Sequence, residues 1–340
     1  MRPPIQRLLF AAGIFLLPLA FVTKAVIVEI LDLDKITNDA TLIVAAEVTS
    51  VQEIANTTVR VGDREVSAKA MTADLRIASV LKGDIHGASS VTLRFVLPDE
   101  FVGWRSITPL SYRVFFLTGG PPEFKLVSPY NPSVVALPGV EVTQGTPIEH
   151  VIAQLSAVLE SATGPFEAKS EAVFTLRRTR SAIATRALGR AVDQVKDRRL
   201  GLSISAALLE RNDISTLPNI ETVLLKPDPT VPADVLHNLS YAILIGVKDE
   251  RAVPALTRLL RAGNAEVRRA AASALMHIGD TSAIDPLASA LDDSDHTVQY
   301  YAVVGLAEIT GQADWRPNTY DFTADPNKYL NHWREWAQKR

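Results

Sequence analysis

The chain has 340 residues, of which 47% are hydrophobic and 21% are charged, and this composition is typical of a globular protein and excludes a disordered one. Its formal net charge of −3 excludes a global basic field of the kind that attracts nucleic acid or anionic lipid. The absence of cysteine excludes disulfides, thiol catalysis and cysteine-ligated zinc.

The N-terminal segment, residues 1–25, has the order of features that marks a secretory signal peptide. Arg2 and Arg7 form a positively charged start, and an uncharged apolar run follows from Leu8 to Ala20. This run is too short to cross a bilayer comfortably. We therefore predict cleavage after Ala20 or Ala25 and a periplasmic or secreted location in a bacterium. An uncleaved anchor is the alternative, and only then would the chain associate with a membrane.

Residues 26–137 are rich in strand patterns and contain no long helix pattern. Apolar and polar side chains alternate over Ser90–Leu97, as expected of a strand with one buried face. The predicted elements, in chain order, are a brief helix over Glu29–Thr37, strands over Thr41–Val51, Asp74–Leu81, Ser90–Leu97 and Tyr112–Leu117, and short edges over Phe124–Val127 and Val134–Leu137. About five strands in this length predict a small antiparallel β-barrel or sandwich.

The order of these elements resembles a β-module of exported bacterial proteins: a short helix, a strand pair ending in LKGD, a strand, and a strand ending in FL. It is also similar to the OB-type fold of netrin and metalloproteinase-inhibitor modules, although those modules rely on disulfides, which are absent here. An OB-type fold implies binding of oligonucleotides or sugars. No strand carries the basic and aromatic residues that would support it, so we do not predict that activity.

Residues 138–165 are predicted to link the strands to a helical half. Proline and glycine interrupt the first part, and a single apolar stripe then predicts a helix over 148–159. Every later pattern is helical. Basic residues are concentrated in 176–199, and we favour a solvated helix face there over a patch for an acidic partner.

One helix pattern occurs twice in the C-terminal half, at a fixed offset along the chain. Val267, Ala271, Leu275 and Ile278 correspond to Val298, Ala302, Leu306 and Ile309. The preceding helices and the polar turns repeat at the same offset, so each unit contains a helix A and a helix B. Such units bury their apolar faces by stacking on one another. We predict an α-solenoid over residues 166–311, with its clearest units at 219–249, 250–280 and 281–311.

The repeated signature is A-[VI]-x-x-L-x-x-x-L, a polar turn, and then V-x-x-x-A-x-x-x-L-x-x-I. It resembles the HEAT repeat, in the short bacterial form also found in phycobilisome-lyase-like proteins. Asp292 and Arg268 each keep a family position in one unit, whereas Arg261 and Gln299 depart from the pattern. The resemblance implies an α+β multidomain chain in which a C-terminal α-solenoid of HEAT-like helical pairs binds or scaffolds other proteins.

In such solenoids helix B usually lines the concave surface, which is therefore the candidate binding surface. Some of its predicted residues are apolar, as a purely solvated face would not require. The candidates are His237, Tyr241, Arg268, Arg269, Met276, Gln299, Tyr300 and Val303. Two interpretations stay open: a groove for a protein partner, or a surface covered by the β-rich domain or by the helix over 148–159.

Residues 312–340 contain three of the four tryptophans. Tyr329, Leu330, Trp333 and Trp336 fall on one face of a predicted helix, which can cover the open end of the last repeat. We favour this capping role over an aromatic platform for a sugar or a cation.

No pattern nominates a catalytic or metal site. The six histidines are scattered without a paired metal-binding motif, and no nucleophile, phosphate-binding or dinucleotide-binding motif occurs. We therefore predict an exported, non-catalytic HEAT-repeat protein without a cofactor or metal, which binds a protein and not nucleic acid. The alternative is an enzyme accessory or inhibitor that binds through the β domain. An enzyme with an unrecognised site is a third interpretation.

Overall fold

The computed structural model describes residues 30–100, 103–142, 144–226 and 229–340. The predicted signal peptide lies outside them. Each helix in this part of the chain is too short or too polar to span a lipid bilayer.

The N-terminal part is a module of strands with one short helix. Its elements are α1 (Leu33–Asp39), β1 (Leu42–Val61), β2 (Arg64–Lys82), β3 (Ser90–Pro98), β4 (Tyr112–Gly120), β5 (Glu123–Leu126) and β6 (Ser133–Val135). Strands β1 and β2 are about twice as long as predicted, because they continue as a hairpin that turns at Gly62. From Gln52 to Thr58 every residue of β1 is exposed, so this part carries no apolar pattern from which a strand could be recognised.

Five of the strands close into a ring. The order is β1-β2-β3-β5-β4, with β4 returning to β1, and β6 is attached to β4. All pairs are antiparallel except β3 with β5, which is parallel. Apolar residues such as Val44, Leu75, Leu93 and Phe115 fill one buried cluster of this module. The predicted β-rich N-terminal module is confirmed, and the parallel β3–β5 pair is its one departure from the predicted antiparallel arrangement.

The C-terminal part is a succession of helices. They are α2 (Pro147–Glu160), α3 (Phe166–Leu176), α4 (Ala182–Gln194), α5 (Arg198–Leu209), α6 (Leu217–Leu225), α7 (Ala233–Gly246), α8 (Val253–Leu259), α9 (Ala265–Ile278), α10 (Ile284–Ala290), α11 (His296–Thr310), α12 (Thr319–Ala324) and α13 (Pro326–Gln338). The repeated turns have a local explanation. The side chains of Asn264 and Asp295 accept backbone hydrogen bonds at the start of α9 and α11, and Gly279 and Gly311 end these helices in the left-handed conformation.

These helices stack as pairs and form the predicted HEAT-like solenoid. The second helices, α3, α5, α7, α9 and α11, pack one against the next and are called the B helices here. The contact between α7 and α5 is especially close at Gly246. A Cβ atom there would lie 2.1 Å from the carbonyl oxygen of Leu209, so only glycine fits.

One helix connects the strand module to the rest of the solenoid. On α5, Leu202 and Leu209 belong to the core of the C-terminal repeats, whereas Ile204 and Leu208 belong to a core shared with the strands and α1–α4. The helix predicted over 148–159 runs from Pro147 to Glu160 and packs in that shared core, mainly against α3, α4 and the strand module. It therefore serves as the first helix of the stack and does not cover the B helices of the later repeats.

Candidate functional site: the surface of the B helices

The candidate site is the outward side of the B helices, called the B surface here. Each B helix has neighbouring B helices beside it and the first helices of the pairs behind it, so its exposed residues lie on one common side. His237 and Tyr241 of α7 are both exposed on this side. The Nδ1 atom of His237 contacts the Glu266 carboxylate on α9, whereas 48% of Tyr241 is exposed.

The two candidate arginines connect neighbouring repeats. Arg268 donates from Nε and Nη2 to the two carboxylate oxygens of Asp293, at 2.7 and 2.9 Å, and from Nη1 to the carbonyl oxygen of Ala262 at 3.1 Å. Arg269 donates from Nε to Oδ1 of Asp295 at 2.9 Å. The sequence predicts both arginines on the binding surface, but in the structure their guanidinium groups form these hydrogen bonds within the solenoid.

Gln299 occupies the position of Arg268 in the next unit and has a similar role. Its Nε2 atom donates to the carbonyl oxygen of Asp293 at 2.8 Å. Arg268 bonds to a carboxylate of the next repeat. No further repeat follows Gln299 in the described chain, and its neutral amide bonds to the turn of its own unit instead. The departure from the repeat pattern thus has a local structural reason.

The apolar candidates are distributed differently from the prediction. Val303 is fully buried and belongs to the core, so it is not part of the B surface. Met276 is partly buried because α11 approaches it closely at Gly305, where a Cβ atom would lie 3.3 Å from the Met276 Cα and Cβ atoms. Tyr300 faces the C-terminal helices, with its ring centre 5.5 Å from that of Phe322.

Three exposed apolar residues of the B surface were missed. They are Ile245 on α7, which is 42% exposed, and Phe166 and Phe174 on α3, which are 36% and 43% exposed. Ile245 could have been found, because it follows Tyr241 by one helical turn. The phenylalanines could not, because the repeat pattern is too degenerate before residue 219 to identify α3 as a B helix.

The exposed residues of α3, α5 and α7 are joined across the surface by one arginine. The Arg199 guanidinium of α5 lies 5.7 Å from the centre of the Phe166 ring on α3. Its Nη2 atom also donates to Oδ2 of Asp234 on α7, at 3.2 Å. The B surface is therefore continuous from α3 to α7 and combines exposed apolar side chains with charged ones.

A separate cavity of about 380 Å³ lies where the last repeat meets the C-terminal helices. From α11 its lining residues are His296, Thr297, Tyr300 and Tyr301, and from the C-terminal segment they are Thr319, Phe322, Thr323 and Pro326. No aspartate, glutamate, lysine or arginine lines it.

Among the described residues, no three histidine, aspartate or glutamate side chains are grouped as a metal site would require. The absence of a metal and of catalysis stays a prediction.

The Arg269–Asp295 pair predicts a pH dependence of stability. The hydrogen bonds from Arg269 lower the pKa of the Asp295 carboxyl from 3.8 to about 2. A depressed pKa in the folded state means that the ionised carboxylate stabilises the fold above pH 4, and that this contribution is lost as pH falls from about 4 towards 2. Because 45% of the Arg269 side chain is exposed, we expect only about 1 kcal/mol.

Asp295→Asn keeps the helix cap and removes the charge. In urea unfolding at a series of pH values, its free energy of unfolding should fall less steeply below pH 4 than that of the wild type. Asp314→Asn, at an exposed carboxylate outside any ion pair of the described residues, is the control. Equal slopes for the wild type and Asp295→Asn would contradict the prediction.

Comparison with known proteins identifies the repeats. The HEAT-repeat family model matches residues 222–307, which run from the last turn of α6 to α11. These residues are HEAT repeats, and the resemblance predicted from the sequence is confirmed. No curated protein matches the chain.

Among solved structures, the chain is similar to one in the complex of CpcE and CpcF of phycocyanin lyase from Nostoc sp. PCC7120. The sequence identity is 24%, the match covers 54% of this chain and 72% of that chain, and the TM-score is 0.37.

Proposed function

We propose that this chain is an exported, non-catalytic protein that binds a protein partner through the B surface and acts as a scaffold in the bacterial cell envelope. The HEAT repeats support a role in protein binding. The proposal of export rests on the N-terminal sequence pattern. It is tested by fractionating cells and sequencing the N-terminus of the periplasmic protein, and an intact N-terminus would contradict cleavage.

The observation that carries the proposal is the exposure of large apolar side chains on two B helices, α3 and α7, on either side of α5. Phe174, Tyr241 and Ile245 are each between 42% and 48% exposed. A surface that only contacts water has no need of an aromatic and an aliphatic side chain one turn apart. Aromatic residues with charged residues around them are typical of the energetic centre of a protein interface.

A second candidate function is favoured by the β1–β2 hairpin. Between Val51 and Val61, β1 forms ladder hydrogen bonds with β2 alone, so its other edge is available for pairing. Ile54 in this segment is 50% exposed. An accessory or inhibitor-like protein could bind its target by adding a strand to this edge.

Tyr241→Asp is expected to reduce affinity for the partner about 30-fold, which corresponds to the loss of one interface residue worth about 2 kcal/mol. A carboxylate at this position would have to be desolvated in the interface without a partner. The partner is first captured from envelope extract on the immobilised full chain and identified. Its affinity for each variant is then measured by surface plasmon resonance.

Ile54→Asp is the matched control, because Ile54 and Tyr241 are almost equally exposed and lie on different modules. Circular dichroism melts establish that both variants are folded. Loss of binding with Tyr241→Asp alone supports the B surface, and loss with Ile54→Asp alone supports the hairpin. Unchanged binding in both would contradict both proposals.

A further inference from the structure

The cavity between the last repeat and the C-terminal helices differs from three other cavities of the described chain. Those cavities are lined by charged residues such as Asp99, Arg105, Asp285 and Arg261. Here no side chain carries a fixed charge, whereas five of the eight lining residues carry a hydroxyl group. The cavity therefore suits a neutral ligand that can both donate and accept hydrogen bonds.

The residues of α11 that line this cavity differ from those at the same positions of the preceding repeat. At the repeat offset, Tyr300 and Tyr301 correspond to Arg269 and Ala270 of the preceding unit. In that unit Arg269 spans the gap to the next repeat and pairs with Asp295. The last unit has aromatic rings in place of this ion pair, and the C-terminal segment that covers the unit leaves about 380 Å³ unfilled beside them.

The aromatic rings form walls that are suited to the faces of another ring. The Tyr300 ring centre lies 5.8 Å from that of Tyr301 and 5.5 Å from that of Phe322. Phe322 is only 4% exposed and is therefore held by the core behind it. The C–H faces of a pyranose can pack on such rings as apolar surface. A volume near 380 Å³ lies at the lower end of the range of small-molecule sites, which fits a ligand of about one ring with its substituents.

The hydroxyl groups decide between a sugar and an apolar ring. Thr323 Oγ1 donates to the carbonyl oxygen of Thr319 at 2.7 Å. The hydroxyls of Thr297, Thr319, Tyr300 and Tyr301 make no hydrogen bond to another residue in the part of the chain that the structure describes. An apolar ligand would displace the water around these hydroxyl groups and leave them without hydrogen bonds. A polyhydroxylated ring would replace the hydrogen bonds to water with its own.

We propose that this cavity is a carbohydrate site that binds one neutral pyranose unit. The ring packs against Tyr300, Tyr301 and Phe322, and its hydroxyls bond to the threonine and tyrosine hydroxyls around it. This site is independent of protein binding at the B surface and goes beyond that function.

The test uses the full chain with N-acetylglucosamine and methyl glucoside as neutral pyranoses and with p-cresol as an apolar ring. Binding is measured by isothermal titration and by saturation-transfer NMR. Thr297→Val and Tyr301→Phe each remove one hydroxyl and keep the shape of the side chain. We expect at least one pyranose to bind and each variant to weaken it about five- to tenfold. Thr222→Val, on the exposed side of α6, should leave the affinity unchanged.

Three results would overturn the proposal. The first is that neither pyranose binds. The second is that p-cresol binds and is not displaced by a pyranose, which would make the cavity an apolar site. The third is pyranose binding that Thr297→Val and Tyr301→Phe leave unchanged, which would locate the sugar elsewhere on the chain. Because none of these measurements involves the protein partner, failure here leaves the proposal for the B surface unaffected.

Discussion

Trp333→Ala is expected to lower the free energy of unfolding by about 3–5 kcal/mol. Trp333 of α13 is fully buried, and it belongs to the same core as the repeats. Its ring centre lies 5.4 Å from that of Trp336 in an edge-to-face arrangement, and its Nε1 atom donates to the carbonyl oxygen of Trp315 at 3.3 Å. Alanine would leave a cavity and an unpaired carbonyl group.

The measurement is urea unfolding followed by far-ultraviolet circular dichroism, which does not depend on the tryptophan that is removed. Trp336→Ala is the matched control, because Trp336 is on the same helix but is partly exposed. We expect Trp336→Ala to lower the free energy of unfolding clearly less than Trp333→Ala. If Trp333→Ala lowered the free energy of unfolding as little as Trp336→Ala, α13 would be a loosely attached segment and not the cap of the repeats.

The capping role also explains why this large effect is expected at the end of the chain. In a solenoid each unit is sheltered only by its neighbours, so the last unit exposes an apolar face unless another element covers it. The buried residues Phe322, Tyr329, Leu330 and Trp333 all belong to the C-terminal helices and join the core of the repeats. Loss of Trp333 should therefore destabilise α10 and α11 as well as α13.

The periodicity of the sequence was sufficient to predict the later repeats. Leu256, Leu275, Leu287 and Leu306 recur at the repeat offset, and each is fully buried. The earlier units were not predicted in full, because their helices have one face on the strands. Helix α2 has to fit α1, β2 and β6 as well as α3 and α4. On this helix Gln154 is fully buried and donates from Nε2 to the carbonyl oxygen of Val140 in the linker at 3.1 Å, a contact that no repeat pattern predicts.

The candidate site was harder to predict than the fold. A helical wheel shows which side of a helix faces outward, but it does not show what the next repeat brings to that side. Arg268 and Arg269 are outward on α9, and their partners lie in the turn before α11. The sequence predicts Tyr300 on the concave surface but does not predict the cavity, because only the folded chain brings Tyr300 next to Phe322.

Arg268→Ala is expected to lower the free energy of unfolding by about 3 kcal/mol. Only 13% of the Arg268 side chain and 10% of the Asp293 side chain are exposed. Removing the guanidinium would leave a nearly buried carboxylate without its bidentate partner and the carbonyl oxygen of Ala262 without its donor. Arg251→Ala is the control, because Arg251 is 77% exposed in its pair with Asp249 and should contribute little.

Arg268→Lys separates the charge from the geometry. Lysine keeps the positive charge but cannot donate two parallel hydrogen bonds to Asp293. We therefore expect the free energy of unfolding of Arg268→Lys to lie between those of the wild type and Arg268→Ala. Urea unfolding of the three proteins gives the comparison. If Arg268→Ala lowered the free energy of unfolding no more than Arg251→Ala, Arg268 would be available to a partner, as the sequence predicts. A large loss in the free energy of unfolding would mean that Arg268 fixes the spacing of the two repeats. Any effect of its replacement on partner binding would then follow from the altered B surface and not from the loss of a direct contact with the partner.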